Sequence, residues 1–264
     1  MSKLSFPADE LNQLIDNNLI IGKTLDMKIL EKAGMFILKD YFDKASIENY
    51  YNAYIKYKDT PEFDRTRFHL TEVRVKDDNP LFNILNDLKF LELISNLFNG
   101  NVGLFNLRIV KKDKNDTLPV FLHQDLGYQA GRFERYSLFI PLTYCGIKNG
   151  GLKFYPGTQN FGYLGDAGAL NDFLPDNYPR VTPEAFPGDV IIMHSAVWHS
   201  SDENTSLADR IYYDIHVQDA NDPSTKKVLT GERSSPWQLT LTHDEIFQSS
   251  RTQRLKELYS QINS

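Results

Sequence analysis

By type and spacing, the residues of this chain best suited to hold a metal are His123 and Asp125, in FLHQD at 121–125, and His199, in VWHSS at 197–201. Two imidazoles and one carboxylate on one face of a metal leave its other positions open, the donor set that non-haem Fe(II) centres use to admit a cosubstrate and dioxygen. Arg210, eleven residues after His199, adds a guanidinium whose parallel N–H donors match a carboxylate such as the distal one of a 2-oxo acid. Ser201 offers a hydroxyl to the same group. The plainer readings are a chance H-x-D and, for Arg210, a salt bridge with Asp209 or Asp214. Against the first stands the β-rich sequence before both histidines. Against the second stands the place of Arg210 at the start of RIYYDIHV, a run expected to lie beside the His199 strand.

These residues need strands to position them. From about 103 to 218 the sequence is a series of short β-rich runs, VGLFNLRIV, LPVFLH, YSLFIPLTY, GLKFYP, DVIIMH and RIYYDIHV, separated by turn signals at Asn149-Gly150-Gly151, Pro156-Gly157 and Pro187-Gly188-Asp189. Strands at this density without helices between them read as an all-β sandwich or barrel, and a jelly roll brings distant strands such as those of His123 and His199 together. Residues two apart on a strand share a face, so His123 and Asp125 are expected to reach one metal from a single strand end.

Residues 1–102 carry mostly helical signals. ADELNQLIDNNLI and SIENYYNAYIKY have apolar residues at helical spacing, and the run from Pro80 to Phe98 predicts one amphipathic helix with a stripe of Leu81, Ile84, Leu85, Leu88 and Leu91. The segment 161–180 has neither period and reads as a long insert, of the kind that often covers a binding site. Residues 219–264 are expected to be a polar tail ending in a helix, so that 1–264 forms one domain.

Composition sets the remaining bounds. With 41% apolar residues, 17 Phe and 14 Tyr, the 264-residue chain can bury a large core without disulfides. The formal net charge of −6, with basic residues dispersed, gives no sign of a nucleic-acid partner. The single cysteine, Cys145, excludes an internal disulfide and reads as a core thiol. A polar N-terminus and the lack of any membrane-length apolar run predict a cytoplasmic enzyme acting on a small molecule, with no membrane or protein partner implied.

His123-Gln124-Asp125, Gly150-Gly151-Leu152, Pro156-Gly157-Thr158, Gly188-Asp189-Val190, His199 with Ser201, and Arg210 together resemble the phytanoyl-CoA dioxygenase family over roughly residues 103–218. The resemblance implies a mostly β fold with flanking helices around a double-stranded β-helix (jelly-roll, cupin-like) core. It implies Fe(II) held by His123, Asp125 and His199, and 2-oxoglutarate anchored by Arg210 and Ser201, with dioxygen as the oxidant. By the same analogy the strand at 105–110 lines the cosubstrate pocket, bringing in Asn106 and Arg108. Asp125 stands where related halogenases have a small residue, so the expected chemistry is C–H hydroxylation with release of succinate and carbon dioxide.

Substrate contacts are expected from the segment after the H-x-D, at Tyr128, Gln129, Arg132 and Arg135, with FDRTRFH at 63–69 as a second possible wall. The polar character of these residues points to a small metabolite or biosynthetic intermediate. His194 is expected to be structural, and His69, His216 and His243 fall outside the motif. Two rival readings are a cupin-like isomerase, epimerase or lyase without 2-oxoglutarate, and a non-catalytic jelly-roll binding protein. Neither has a use for a carboxylate anchor at Arg210.

Overall fold

The computed structural model describes residues 8–59, 80–115, 118–128, 132, 134–163 and 174–236, together with the backbone of two short strands at 63–65 and 70–73. The expected closing helix, His69, His243, Gln129 and the centre of the 161–180 segment lie outside the described residues.

Two sheets form the core. The larger contains β1 (Ile21–Gly22), β2 (Met35–Leu38), β3 (Phe63–Arg65), β4 (Leu70–Val73), β5 (Val102–Lys112), β7 (Arg135–Pro141), β9 (Val190–His194), β11 (Arg210–Asp219) and β12 (Lys227–Thr230). Its order is β1-β2-β9-β7-β11-β5-β4-β3, with β12 also pairing β5. The smaller sheet has β10 (Trp198–Ser201) between β6 (Val120–His123) and β8 (Leu152–Tyr155). Apart from the parallel β1–β2 contact, the pairings are antiparallel. Neither sheet closes into a barrel by itself. The architecture is the mostly β, jelly-roll class read from the strand runs.

The two faces of the large sheet do different work. Its outer face, carrying Ile211, Tyr213, Ile215 and Val217 of β11, packs on helices α3 (Lys44–Tyr57) and α4 (Leu88–Leu97) in one apolar core. Its inner face meets the small sheet, where Val110, Phe139 and Tyr212 pack with Leu152 and Phe154. Helix α1 (Ala8–Asp16) joins this second cluster through Leu11 and Leu14.

The N-terminal part holds more strand than its periodicity predicts. Helix α2 (Met27–Ala33) stops at Gly34, whose φ of 73° is the left-handed conformation that ends helices, and MFIL then enters the sheet as β2, fully buried beside β9. A short all-apolar run has no period to separate strand from helix.

The run from Pro80 is also two pieces rather than one helix. Residues Pro80–Asn86 form 3-10 turns, and Asp87 then caps α4 by accepting from the backbone N–H of Lys89 at 2.8 Å and of Phe90 at 3.3 Å. Restarting the helix at Asp87 shifts its phase. Leu81, Ile84 and Leu85 stay buried, but Leu88 is 82% exposed and the buried stripe of α4 is Phe90, Leu93, Ile94 and Leu97. We therefore expect Leu85→Ala to lose about 2–5 kcal/mol in urea unfolding and Leu88→Ala to stay within about 0.5 kcal/mol of wild type. The opposite ranking would mean that the helix has the phase of one continuous run.

Candidate active site

Strand pairing brings the two histidines together. His199 on β10 lies directly opposite His123, the last residue of β6, with ring centroids 4.1 Å apart. Each Nδ1 faces a backbone carbonyl two residues earlier, Phe121 at 2.7 Å and Val197 at 3.1 Å. A carbonyl only accepts, so both Nδ1 atoms carry the proton and both Nε2 lone pairs are left to bind a metal.

Asp125 arrives by a different route from the one expected. The strand ends at His123, and Asp125 opens the 3-10 turn Asp125–Tyr128. Its Oδ1 lies 3.7 Å from Nε2 of His123 and 3.8 Å from Nε2 of His199, and the three ligand atoms fit within 4.8 Å of one another. Its Oδ2 accepts a hydrogen bond from Ser137 Oγ on β7 at 3.1 Å. One carboxylate oxygen is thus held back while the other faces the imidazoles. All three side chains are buried. Burial alone would raise the Asp125 carboxyl, but the imidazoles of His199, His216 and His123 and the Arg108 guanidinium together hold it well below the ordinary carboxylate range. A carboxylate oxygen and two imidazole Nε2 atoms are the donor set that Fe(II) takes, so the residues fit the metal.

Between the ligands, Gln124 points away and ties the loops. Its Nε2 donates to the carbonyls of Gly162 at 2.7 Å and Ala196 at 2.8 Å. Thr158 of the Pro-Gly-Thr turn fixes the neighbouring strand, its Oγ1 accepting from Trp198 N at 2.9 Å, one residue before His199.

Arg210 begins β11 and is buried, its Nη1 donating to the carbonyl of Gly150 and its guanidinium carbon 5.2 Å from the Tyr212 ring centroid. Gly150 has φ of 70°, and a Cβ there would lie 2.6 Å from the Asp202 carbonyl oxygen and 2.8 Å from Cδ of Lys112. Ser201 Oγ accepts from Nζ of Lys112 at 3.1 Å. Burial pushes the nearby Cys145 thiol up to about 12, in keeping with its reading as a core thiol.

Other expected residues are distributed unevenly. Asn106 is buried, its Oδ1 accepting from Leu107 N at 2.9 Å. Arg108 pairs with Asp214, and Nε2 of His216 lies 2.8 Å from both Asp214 Oδ1 and Arg108 Nη2. Tyr128 belongs to the turn after the ligand, and Arg132 is exposed, with its backbone N–H donating to Asp222 at 2.7 Å. Arg135 is corrected from a mouth residue to a framework one. It is fully buried, lies 3.7 Å over the Phe105 ring, and donates to Gln218 at 2.6 Å and Ser224 at 3.1 Å. His194 is structural: its Nδ1 accepts from Ala196 N at 3.1 Å and its ring meets Tyr136 edge-on.

Ser137, Lys112 and His216 were not anticipated. A signal for His216 was present, since RIYYDIHVQD places Arg210, Tyr212, Asp214, His216 and Gln218 on one face of a strand.

We expect Ser137→Ala to weaken Fe(II) binding by on the order of tenfold, as loss of a hydrogen bond to a ligand does, measured by anaerobic titration. Unchanged affinity would mean that Ser137 does not orient Asp125. His194 makes a separate, pH-dependent contribution. Burial lowers it from the ordinary 6.5 to about 4, so between those values the unfolded chain takes up a proton that the folded chain does not. Stability therefore falls as pH drops through that window, and His194→Gln should flatten the decline in denaturation midpoint. Identical profiles for the two proteins would refute this.

A sequence model of the phytanoyl-CoA dioxygenase (PhyH) family matches residues 30–212. No curated protein sequence matches the chain. Among solved structures, EctD from S. alaskensis with 2-oxoglutarate and 5-hydroxyectoine is similar with a TM-score of 0.65, at 17% identity over 80% of both chains. The non-heme alpha ketoglutarate dependent epimerase SnoN from nogalamycin biosynthesis gives 0.63 at 18% identity, covering 78% of this chain and 94% of its own. AviO1 from Streptomyces viridochromogenes Tue57 gives 0.62 at 19% identity, covering 76% and 99%.

Proposed function

We propose that this chain, which belongs to the phytanoyl-CoA dioxygenase family, hydroxylates an unactivated C–H bond of a small polar metabolite or biosynthetic intermediate. Family membership and the His-Asp-His triad make it an iron- and 2-oxoglutarate-dependent enzyme.

The observation that carries it is Asp125. Its Oδ1 completes the ligand set with the two Nε2 atoms, and Ser137 keeps its second oxygen turned away. A carboxylate there occupies the position that a halide would need, which supports oxygen transfer over halogenation. Iron bound by the triad would let dioxygen oxidise 2-oxoglutarate to succinate and carbon dioxide, which take up one oxygen atom, and the substrate C–H bond to an alcohol, which takes up the other.

The protein's own part is positioning and exclusion of water. His123 and His199 bind through Nε2 because their Nδ1 protons are committed to the backbone. Arg210 is assigned to the distal carboxylate of 2-oxoglutarate, with Ser201 beside it. The apolar residues around that end, Val110, Phe139, Phe154 and Tyr212, keep water out and strengthen the ion pair. Tyr128, Gln129 and exposed Arg132 are the candidate substrate contacts. EctD crystallised with 2-oxoglutarate and a hydroxylated compound supports the same outcome here. An epimerase and a carbocyclase with this fold set the alternatives.

Adding Fe(II) and then 2-oxoglutarate without oxygen should produce the visible charge-transfer band of an iron-chelated 2-oxo acid, lost in His199→Ala. Arg210→Ala should raise the Kd for 2-oxoglutarate by on the order of a hundredfold, the loss of a charge-assisted bidentate pair. Compounds that stimulate succinate formation should then yield a product heavier by one oxygen atom. A product of unchanged mass would identify an epimerase, and one lighter by two hydrogens a cyclase or desaturase.

A further inference from the structure

The interior face of the large sheet carries a polar group that is not itself a metal ligand. Arg108 on β5 lies opposite Asp214 on β11, and His216, two residues further along β11, lies opposite Ser137 on β7. Asp214 and His216 are almost wholly buried, at 1% and 2% exposure. Arg108 donates to Asp214 Oδ2 through Nε at 2.8 Å and also through Nη2. The same Nη2 meets His216 Nε2 at 2.8 Å. That Nε2 in turn lies 3.5 Å from Ser137 Oγ, which donates to Asp125 Oδ2 at 3.1 Å. A continuous path of polar contacts thus runs from Arg108 to the metal-binding carboxylate.

The path has a direction, set by which groups carry protons. A guanidinium only donates and a carboxylate only accepts. Nη2 of Arg108 has two hydrogens and two acceptors, Asp214 Oδ2 and His216 Nε2, so Nε2 accepts and the imidazole proton sits on Nδ1. Asp214 Oδ1 is 2.8 Å from the same Nε2 yet has no hydrogen-bond partner, as follows if that nitrogen carries no proton. Ser137 has one proton and two acceptors near it, Asp125 Oδ2 and His216 Nε2. With the Nε2 lone pair taken by Arg108, the proton is left to Asp125. We propose that Arg108 is a positioning residue for the iron ligand: by occupying Nε2 of His216 it commits the Ser137 hydroxyl to Asp125, holding Oδ2 back and leaving Oδ1 to the metal. This rests on the iron reading of the triad above.

Each member has a separate task. Asp214 accepts from both Nε and Nη2 and so fixes the plane of the guanidinium, which is what aims the second Nη2 hydrogen at His216. His216 is the competing acceptor that Arg108 keeps occupied. Ser137 stands on β7 while Asp125 follows β6, so the hydroxyl carries the alignment of β5, β11 and β7 across to the small-sheet side. This task differs from direct contact with the cosubstrate, and two binding constants separate them.

The test measures binding, not turnover. Fe(II) is titrated anaerobically into wild type, Ser137→Ala, the paired variant Arg108→Met with Asp214→Leu, and a triple variant that adds His216→Phe. Changing Arg108 and Asp214 together leaves no buried charge unpaired, and neither Met nor Leu can donate to Nε2. The paired variant should raise the Fe(II) Kd on the order of tenfold, as loss of a hydrogen bond to a ligand does. His216→Phe removes the competing acceptor and should return the Kd to within about twofold of wild type. In a Ser137→Ala background the paired change should add no more than about twofold. Wild-type affinity in the paired variant, or failure of His216→Phe to restore it, would overturn the relay. So would a rise confined to the Kd for 2-oxoglutarate, which would make Arg108 a cosubstrate contact. Melting temperatures identify the variants that have kept their fold. Wild type gives a reading that needs no variant: in nitrogen NMR spectra of the Zn(II)-loaded protein the His216 proton should sit on Nδ1, and a proton on Nε2 would refute the assignment. Failure of wild type to bind Fe(II) would remove the iron reading, and the relay with it.

Discussion

Strand β11 must be buried on both faces and still carry a polar row on one of them. It pairs with β5 on one side and β7 on the other, and nine of its ten residues are buried. Its odd-numbered residues, Ile211, Tyr213, Ile215 and Val217, fill the core against the helices. Its even-numbered residues run Arg210, Tyr212, Asp214, His216 and Gln218 along the interior. A slip of one residue would send this entire polar row into the helix-packed core, so the apolar face fixes the register on which the site depends. Arg210, the Arg108–Asp214–His216 group and the Gln218 bond to Arg135 all inherit their positions from that one alignment.

The metal ligands are held by a complementary device. On the small sheet, β10 sits between β6 and β8, so His199 has a neighbour on either side, His123 and Phe154. Polar groups from the large sheet reach across to the triad through Ser137, whose hydroxyl links β7 to Asp125. The ligand geometry is therefore a property of the contact between two sheets rather than of either alone. This is why the charge on Asp125 responds to Arg108 and His216, residues of the large sheet, as well as to its fellow ligands.

Much of this was legible in the sequence because the signals were local. The β runs, the H-x-D, the histidine of VWHSS and the spacing to Arg210 each depend on a few adjacent residues, and the structure brings His123, Asp125 and His199 together. What failed depended on events elsewhere in the chain. The stripe through Leu88 assumed an uninterrupted helix, whereas Asp87 caps a new one and resets the phase. Arg135 follows a polar segment and looked exposed, but the corner at 218–224 folds over it and supplies its acceptors. Lys112 ends a run with another lysine beside it, Lys111, which pairs with Asp113 and Asp209. Only the cross-strand partner distinguishes the two, and strand pairing is not written in local spacing.

Gln124 has a consequence for how such a protein can diverge. Lying between two ligands, it fastens the chain at Gly162 to the metal strand, so the backbone leaves the framework just beyond that point from a fixed root. The return is fastened as well, where the Tyr178 hydroxyl donates to the Pro156 carbonyl and Val181 pairs with Phe154. Length and composition between those two moorings are thereby insulated from the coordination geometry. Insertions and deletions between them can therefore accumulate while His123, Gln124 and Asp125 keep their places.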